Sequence, residues 1–219
     1  MEIDLLKNYP KSNRNTSERA NQKTEHDREI ARKFDIDFFD GDRKHGYGGF
    51  NYNKRFWDKV IPDFINHWKI NNSSETKLLD VGCAKGFMLF DFKRYLPNLT
   101  IKGIDISKYA IDNSLEDLKE HLSVADAKIL PFENNSFNYV ISINTIHNLE
   151  LDDCMKAIKE IQRVKKQNAF ITVDAYRNEE ERKKMFEWNL TAKTILSTDD
   201  WKKVFKECNY TGDYYWFIP

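Results

Sequence analysis

Short apolar runs alternate with amphipathic segments through the central part of the chain. The apolar runs predict β-strands at residues 77–81, 100–106, 123–126, 137–146 and 168–174. The segments between them carry apolar residues at helical spacing and predict helices at residues 87–96, 107–122 and 152–164. Strands that alternate with helices in this way form a parallel sheet with crossover helices on both faces. The predicted fold is therefore α/β, with a doubly wound, mostly parallel sheet.

Two segments of different character precede this alternating region. Residues 1–33 are polar and predict a frayed arm, or a partly ordered helix over residues 17–34. Residues 34–57 mix aromatic residues and glycines without a helical or strand period, which predicts a structured loop. The apolar positions from Val60 to Trp68 then share one face of a predicted helix. We expect an N-terminal helical and loop extension on the sheet domain.

The pattern is weaker after residue 174. It predicts a helix over residues 178–189, a second helix that begins near residue 197, and one final aromatic strand within residues 210–219. The chain thus divides into three parts. Residues 1–33 are a polar arm, residues 34–76 are a lid loop with its helix, and residues 77–219 are the main domain.

The amino-acid composition indicates which ligands and which cellular compartment suit the protein. The 35 basic and 35 acidic residues give a formal net charge of +0, which favours a small ligand over nucleic acid. The chain shows no apolar stretch typical of a secretory signal or a membrane span. Its 3 cysteines are scattered, which is typical of a reducing compartment. We therefore expect a cytoplasmic protein with no membrane partner.

The sequence KLLDVGCAKG, residues 77–86, places two glycines directly after the first predicted strand. A strand, a glycine turn and a helix start direct backbone amides and the positive end of the helix dipole at a ligand. The acid precedes the glycines, whereas the dinucleotide fingerprint reads G-x-G-x-x-G, so NAD is disfavoured. Asp105 ends the second predicted strand, where a carboxylate accepts hydrogen bonds from both hydroxyls of a ribose. The predicted ligand is a nucleoside.

Four segments in this order carry a family resemblance: LLDVGCAKG, GIDIS, VADAKILPFENNSFNYVISINTIHNL and AIKEIQRVKKQNAFITVDA. They resemble class I S-adenosylmethionine-dependent methyltransferases over residues 77–174. The stretches GDRKHGYGGF and YTGDYYW, residues 41–50 and 210–216, also resemble a bacterial methyltransferase subgroup to which we attach no substrate. The resemblance implies S-adenosylmethionine as the cofactor. It assigns the methionine part to Asp80, Gly82, Ala84 and Gly86, the ribose to Asp105, and the adenine to Ile106, Asp126 and Ala127. Asn144 would line the cofactor near its sulfonium.

Two departures from the family pattern affect the prediction. Members usually end in a hairpin whose last strand is antiparallel, but only one strand follows the final helix here. The sheet edge is then shortened, or filled by the arm or by a second subunit, so we consider a homodimer.

The fourth strand ends in INTIHNL and lacks the Asn-Pro-Pro-aromatic signature of enzymes that methylate amide or nucleobase nitrogens. This moves the expected acceptor toward a small metabolite or a sugar.

Three residues are candidates for the chemistry itself. His147 follows the fourth strand and is either a general base or a structural histidine that holds a turn by a hydrogen bond. Tyr176 follows the fifth strand, close to Asp174, and Tyr47 belongs to the lid loop. Arg43 or Arg55 in the lid loop could meet the carboxylate of the cofactor, and we assign this contact to Arg55. Asn144, His147 and Asp174 offer too few ligands for magnesium, so no metal site is assigned.

The predicted function is methyl transfer from S-adenosylmethionine to a small-molecule acceptor with an oxygen or nitrogen nucleophile. One alternative is another displacement on the same cofactor, such as aminopropyl chemistry that releases methylthioadenosine. The other is a non-catalytic module that binds the nucleoside to regulate a partner.

Overall fold

The computed structural model describes residues 1–10, 23–48 and 51–219. Its strands are β1 (Lys77–Val81), β2 (Thr100–Asp105), β3 (Leu122–Val124), β4 (Phe137–Ile143), β5 (Lys165–Tyr176), β6 (Leu196–Ser197) and β7 (Asp213–Phe217). Its α-helices are α1 (Glu25–Ala31), α2 (Ile36–Phe39), α3 (Ile61–Trp68), α4 (Phe87–Tyr95), α5 (Lys108–Asp112), α6 (Leu151–Val164), α7 (Glu179–Trp188) and α8 (Thr198–Glu207). Short 3₁₀ helices occupy Lys54–Phe56, Glu116–His121 and Ile146–Asn148. None of these described helices has the length and apolar character that a bilayer span requires.

The seven strands form one sheet in the order β3-β2-β1-β4-β5-β6, and β7 also pairs with β5. Every pairing between these strands is parallel. This architecture confirms the predicted doubly wound α/β fold. The strand order reverses between β1 and β4, and ligands of such sheets bind in the crevice outside the carboxyl ends of the strands at that point.

Each face of the sheet is covered by its own apolar cluster. On one face, α6 and α8 bury Ile158 and Trp201 against β4 and β5. On the other face, α3 and α4 bury Phe64 and Phe92, whose rings lie 6.1 Å apart. Both faces therefore hold the strands rigidly and fix the position of their carboxyl ends.

Two predicted elements are shorter than the sequence pattern suggested. The helix expected over residues 107–122 consists of α5 and a separate 3₁₀ helix, because the first helix ends at Asp112. Strand β4 ends at Ile143 and not at residue 146. Asn144 takes a left-handed backbone conformation with φ of 51°, which ends the extended chain and redirects it into a 3₁₀ turn.

The expectation of a frayed arm is wrong at its beginning, residues 1–10. The Ile3 amide donates to the Tyr214 carbonyl at 3.0 Å, and the Trp216 indole donates to the Glu2 carboxylate at 2.9 Å. Leu5 is buried in the apolar cluster of α3 and α4. The arm therefore fills the edge of the sheet beside β7. Helix α1 falls within the helix expected over residues 17–34, of which residues 17–22 lie outside the described chain.

The end of the sheet departs from the family pattern in direction as well. Strand β7 runs parallel to β5, in register from Phe170 opposite Asp213 to Asp174 opposite Phe217. The short strand β6 pairs with the last two residues of β5. The sequence pattern did not indicate β6, because two residues are too few to show a period.

Candidate functional site

The turn after β1 forms a tight cradle at the carboxyl edge of the sheet. Gly82 and Gly86 have φ of 85° and 80°, and Ala84 between them has φ of 49°. The amides of Gly82 and Cys83 both donate to the Ile104 carbonyl, at 2.8 and 2.9 Å. These bonds hold the turn against β2 and leave helix α4 to begin directly behind Gly86.

Glycine at position 82 is required by the protein itself. A Cβ on Gly82 would lie 2.1 Å from the Thr145 hydroxyl oxygen. A glycine in such a turn either adopts a positive φ or lets another group approach the backbone closely. The structure shows the positive φ, and it shows a side chain after β4 as the group that approaches.

Two buried carboxyls face this cradle. Asp105 is 8% exposed and accepts hydrogen bonds from the amides of Ala84 and Ser107, both at 2.8 Å. Asp80 is 4% exposed and has no hydrogen-bond donor among the described residues. Burial, with the charge of Asp105, raises the pKa of Asp80 to about 8. A buried carboxyl that lacks a donor fits a ligand that brings a cation or a donor of its own.

Apolar side chains lie exposed where the resemblance expects an adenine. Ile106, directly after β2, is 57% exposed, and Ile129 in the loop after β3 is 77% exposed. In the same loop, Asp126 accepts a hydrogen bond from the Lys128 amide at 2.9 Å, and Ala127 is half-buried. Strands β2 and β3 are parallel neighbours, so these residues follow the same edge of the sheet as the cradle.

Asn144 is fixed at the end of β4. Its side-chain oxygen accepts a hydrogen bond from the Thr172 hydroxyl at 2.9 Å, and its amide donates to the Thr172 carbonyl at 3.1 Å. Strand β4 is the neighbour of β1, so Asn144 follows the strand next to the cradle.

We call residues 34–48 the covering segment, because it makes contact on both sides of this edge. On the cradle side, the Lys85 ammonium lies 2.6 Å from both carboxylate oxygens of Asp40. The Tyr109 hydroxyl donates to the same carboxylate at 2.8 Å. Asp40 and Tyr109 could not be identified from the sequence, because no pattern in it links a loop acid to a residue in α5.

The other contact of the covering segment lies near β5. The Tyr47 hydroxyl accepts a hydrogen bond from the Leu190 amide at 2.8 Å, and its ring stacks on Trp188 with centroids 6.1 Å apart. Burial, with the charge of Asp174, raises the pKa of Tyr47 to about 12. Gly49 and Phe50, which the lid prediction included, lie outside the described residues.

The structure contradicts the assignment of Arg55 to the cofactor. Arg55 lines a surface cleft with Asn8 and Asp58, and Asp58 accepts a hydrogen bond from the Tyr95 hydroxyl. Tyr95 is the last residue of α4, whereas the cradle lies at the first. Nine helical residues span about 13 Å. Arg55 therefore lies at the wrong end of this helix, and Lys85 is the basic residue of the cradle.

The structure also contradicts the assignment of His147 as a base. His147 is 3% exposed, and its Nδ1 accepts a hydrogen bond from the Asp174 amide at 2.9 Å. Burial lowers the pKa of His147 to about 3. A histidine that is so weakly basic does not take protons near neutral pH. Its hydrogen bond fixes β5 beside the 3₁₀ turn after β4, which is a structural role.

Asp174 and Tyr176 point to the same face of β5, because they are two residues apart. Asp174 is 4% exposed, and burial raises its pKa to about 7. Tyr176 is half-buried, with the Arg182 guanidinium 6.0 Å from its ring centroid. The described residues hold no cluster of three or more histidine, cysteine or acidic side chains that could bind a metal ion.

The predicted residues thus separate into two places on one edge of the sheet. Asp80, Gly82, Ala84, Gly86 and Asp105 meet at the cradle. Tyr47, His147 and Asp174 meet at the end of β5, on the other side of β4.

Comparison with known proteins gives the following matches. The model of a methyltransferase-domain family matches residues 72–210. A protein of Haemophilus influenzae is 30% identical over 160 residues, which are 65% of this chain and 62% of that protein. The tRNA (carboxymethyluridine(34)-5-O)-methyltransferase of Arabidopsis thaliana is 30% identical over 144 residues, which are 59% of this chain and 34% of that protein.

Among solved structures, phosphoethanolamine N-methyltransferase 2 of Haemonchus contortus aligns with a TM-score of 0.58 at 18% identity. The alignment covers 81% of this chain and 44% of that one, and it supports the fold alone. In three alignments with curated relatives, the matched part of this chain covers 38%, 25% and 62% of the length of the relative.

Proposed function

Since the chain belongs to the class I S-adenosylmethionine-dependent methyltransferase family, we propose that it transfers a methyl group to a small-molecule acceptor. S-adenosylmethionine is the cofactor. The proposed acceptor is a metabolite or sugar with an oxygen or nitrogen nucleophile. It binds at the end of β5, between the covering segment and the cradle.

The buried, donor-free carboxyl of Asp80 is the observation that carries this proposal. The methionine part of the cofactor brings an α-ammonium, which would supply the missing cation. Asp105 keeps free lone pairs beyond the two amides it binds and would accept the ribose hydroxyls. The remaining proposed contacts are Gly82, Ala84 and Gly86 with the methionine part, Ile106, Asp126 and Ala127 with the adenine, and Asn144 near the sulfonium.

When bound, the cofactor supplies a methyl group on a positively charged sulfur. The chain then has to align the acceptor with that methyl group and exclude water. We assign alignment of the acceptor to Tyr47 and Tyr176, and exclusion of water to the covering segment. His147 contributes by holding Asp174 in position through its amide.

The covering segment supports a small acceptor over a macromolecular one. It is tied to the cradle through Asp40 and Lys85, and through Tyr47 to Leu190, two residues after α7. A segment held on both sides limits the space that an acceptor can enter. The relative that acts on tRNA raises nucleic acid as another acceptor, but a formal net charge of +0 gives little support to a large phosphate-binding surface. The three free, buried cysteines support a reducing, cytoplasmic location.

Asp105→Ala tests the cofactor site. We expect S-adenosylhomocysteine to bind at least about tenfold more weakly, because each lost hydrogen bond to a buried carboxylate contributes about 1.5–3 kcal/mol. Isothermal titration calorimetry on the folded variant measures this. Asp112→Ala in α5 is the matched control, since its carboxylate is exposed and pairs with Lys108 on the surface. Unchanged affinity in Asp105→Ala would overturn the cofactor site.

Product analysis separates the three candidate functions. Methyl transfer leaves S-adenosylhomocysteine, and aminopropyl transfer leaves methylthioadenosine. A nucleoside-binding regulatory module leaves the cofactor intact. Mass spectrometry after incubation with a protein-free cell extract distinguishes these outcomes.

A further inference from the structure

The carboxyl of Asp174 is buried, and no group among the described residues compensates its charge. It lies near the end of β5 and is 4% exposed. No described residue donates a hydrogen bond to its side-chain oxygens, and no lysine or arginine forms an ion pair with it. The titratable groups that face it among the described residues are His147 and Tyr47.

His147 does not supply the missing charge. Its Nδ1 lies 3.7 Å from Asp174 Oδ1, but that nitrogen already accepts the proton of the Asp174 amide. Two acceptor atoms therefore face each other, and burial keeps the imidazole neutral by lowering its pKa to about 3. The pKa of Tyr47 is raised to about 12, so its hydroxyl is neutral as well. An ionised Asp174 has no positive partner within the described protein.

The surroundings of this carboxyl suit a cation. The ring of Tyr47 stacks on Trp188, and Trp188 in turn contacts Phe217 with centroids 5.9 Å apart. The Lys23 ammonium lies 5.8 Å from the Trp188 ring centroid and donates a hydrogen bond to the Trp188 carbonyl. An alkylammonium group thus already rests against this aromatic cluster, where the negative faces of the rings attract positive charge.

We propose that the acceptor is an amine, which binds to Asp174 as its ammonium form and loses a proton to that carboxylate before methylation. This inference rests on the proposed methyltransferase function and names its substrate class. An ammonium supplies both the charge and the hydrogen-bond donors that the carboxyl lacks. A hydroxyl would supply one donor and leave the carboxylate charge unbalanced.

The ammonium passes one proton to an Asp174 oxygen and becomes a neutral amine with a free lone pair. The nitrogen lone pair forms the new N–C bond, while the electrons of the broken C–S bond remain on sulfur as a neutral thioether. The product leaves as a methylated ammonium, and Asp174 returns its proton to water. Burial raises the pKa of Asp174 to about 7, which brings it closer to that of an alkylammonium than an exposed carboxyl would be.

Affinity selection tests the binding step without turnover. Protein saturated with S-adenosylhomocysteine is dialysed against a protein-free cell extract, and the retained compounds are identified by mass spectrometry. We expect the wild type to retain an amine that Asp174→Asn does not retain. Asp199→Asn, whose side chain is 84% exposed, should behave like the wild type. Retention of only neutral or anionic compounds, or equal retention of the amine by Asp174→Asn, would overturn the inference.

Labelling tests the transfer step on the wild type alone. Methyl-labelled S-adenosylmethionine is incubated with the extract before and after treatment with N-hydroxysuccinimidyl acetate, which converts primary and secondary amines into non-basic amides and leaves hydroxyls. We expect a labelled cationic product that disappears after the treatment. Labelled product that survives it and is neutral or anionic at pH 7 contradicts the amine inference alone, whereas a surviving cationic product identifies a tertiary amine. Absence of both labelled product and S-adenosylhomocysteine contradicts the proposed methyltransferase function instead.

The pH dependence of labelling separates a base from a merely structural carboxyl. In Asp174→Asn we expect the rate to fall by about 10²–10⁴ at pH 7. The difference in rate between the wild type and Asp174→Asn should shrink to about tenfold or less near pH 10, where about a quarter of an alkylamine is neutral without a base. A deficit that stays constant with pH would show that Asp174 has no role as a base.

Discussion

At the scale of single residues, Gly82 shows how the cradle depends on an absent side chain. Its φ is 85°, and the Thr145 side chain occupies the space that a Cβ would need. We expect Gly82→Ala to lower the free energy of unfolding by about 2–4 kcal/mol, because it adds backbone strain and a steric clash. Urea denaturation at fixed pH measures this loss.

Ala84→Gly is the control from the same turn. Ala84 has a left-handed φ of 49°, so glycine relieves strain there while it adds entropy to the unfolded chain. The two effects should cancel to within about 1 kcal/mol. A Gly82→Ala variant as stable as the wild type would show that the turn can move away from Thr145.

At the scale of elements, the covering segment is held by contacts at two distant points. Asp40 binds Lys85 at the cradle, while Tyr47 binds the Leu190 amide near β5. Arg43 and Lys44 are exposed between these points. We expect S-adenosylhomocysteine to slow tryptic cleavage after Arg43 and Lys44 at least about threefold, because a filled site adds contacts that hold the segment down. Peptide mapping by mass spectrometry over time measures the rates.

Arg55 provides an internal control in the same digestion. It lies beside Asp58 near the last residue of α4, away from the cradle, and its cleavage rate should not respond to the ligand. Equal slowing of cleavage after Arg43 and Arg55 would indicate that the ligand stabilises the whole protein. If cleavage slowed after neither residue, the covering segment would not be part of the ligand site.

The limits of sequence reasoning are visible in these same elements. Strand β1, the glycine turn and Asp105 follow from local patterns, because period, turn chemistry and strand ends are encoded within a few residues. Arg55 was misplaced, since a loop residue's partners depend on how the whole chain packs. The sequence could not predict the hydrogen bonds of Asp40 or the one accepted by His147 Nδ1, for the same reason. Each of these bonds joins residues more than twenty positions apart in the chain.

At the scale of the whole molecule, buried acids make stability depend on pH in an unusual direction. The pKa values of Asp80 and Asp174 are raised to about 8 and about 7, so the folded state binds more protons than the unfolded state. The free energy of unfolding should therefore fall as pH rises, by up to about 1.4 kcal/mol per pH unit for each of these two carboxyls. His147 acts in the opposite sense but only between its folded pKa of about 3 and its ordinary value near 6.5.

Thermal unfolding of the unliganded protein between pH 6.5 and 8 measures this effect. We expect the unfolding temperature to drop across that window, and to drop less in Asp80→Asn, which lacks the titrating carboxyl. S-adenosylhomocysteine should stabilise the protein more at pH 8 than at pH 6.5, since its ammonium favours ionised Asp80. An unfolding temperature that rises through the window would contradict the protonation of these acids.

The pairing of residues 1–3 with β7 also sets an order of events during synthesis. The two segments lie roughly two hundred residues apart in the chain, so at about 5–20 residues per second the first waits about 10–40 s for the second to emerge from the ribosome. Until then, residues 1–3 and the side of β5 that pairs with β7 lack their native strand partner. This edge is thus the last part of the sheet to be protected from pairing with a foreign strand.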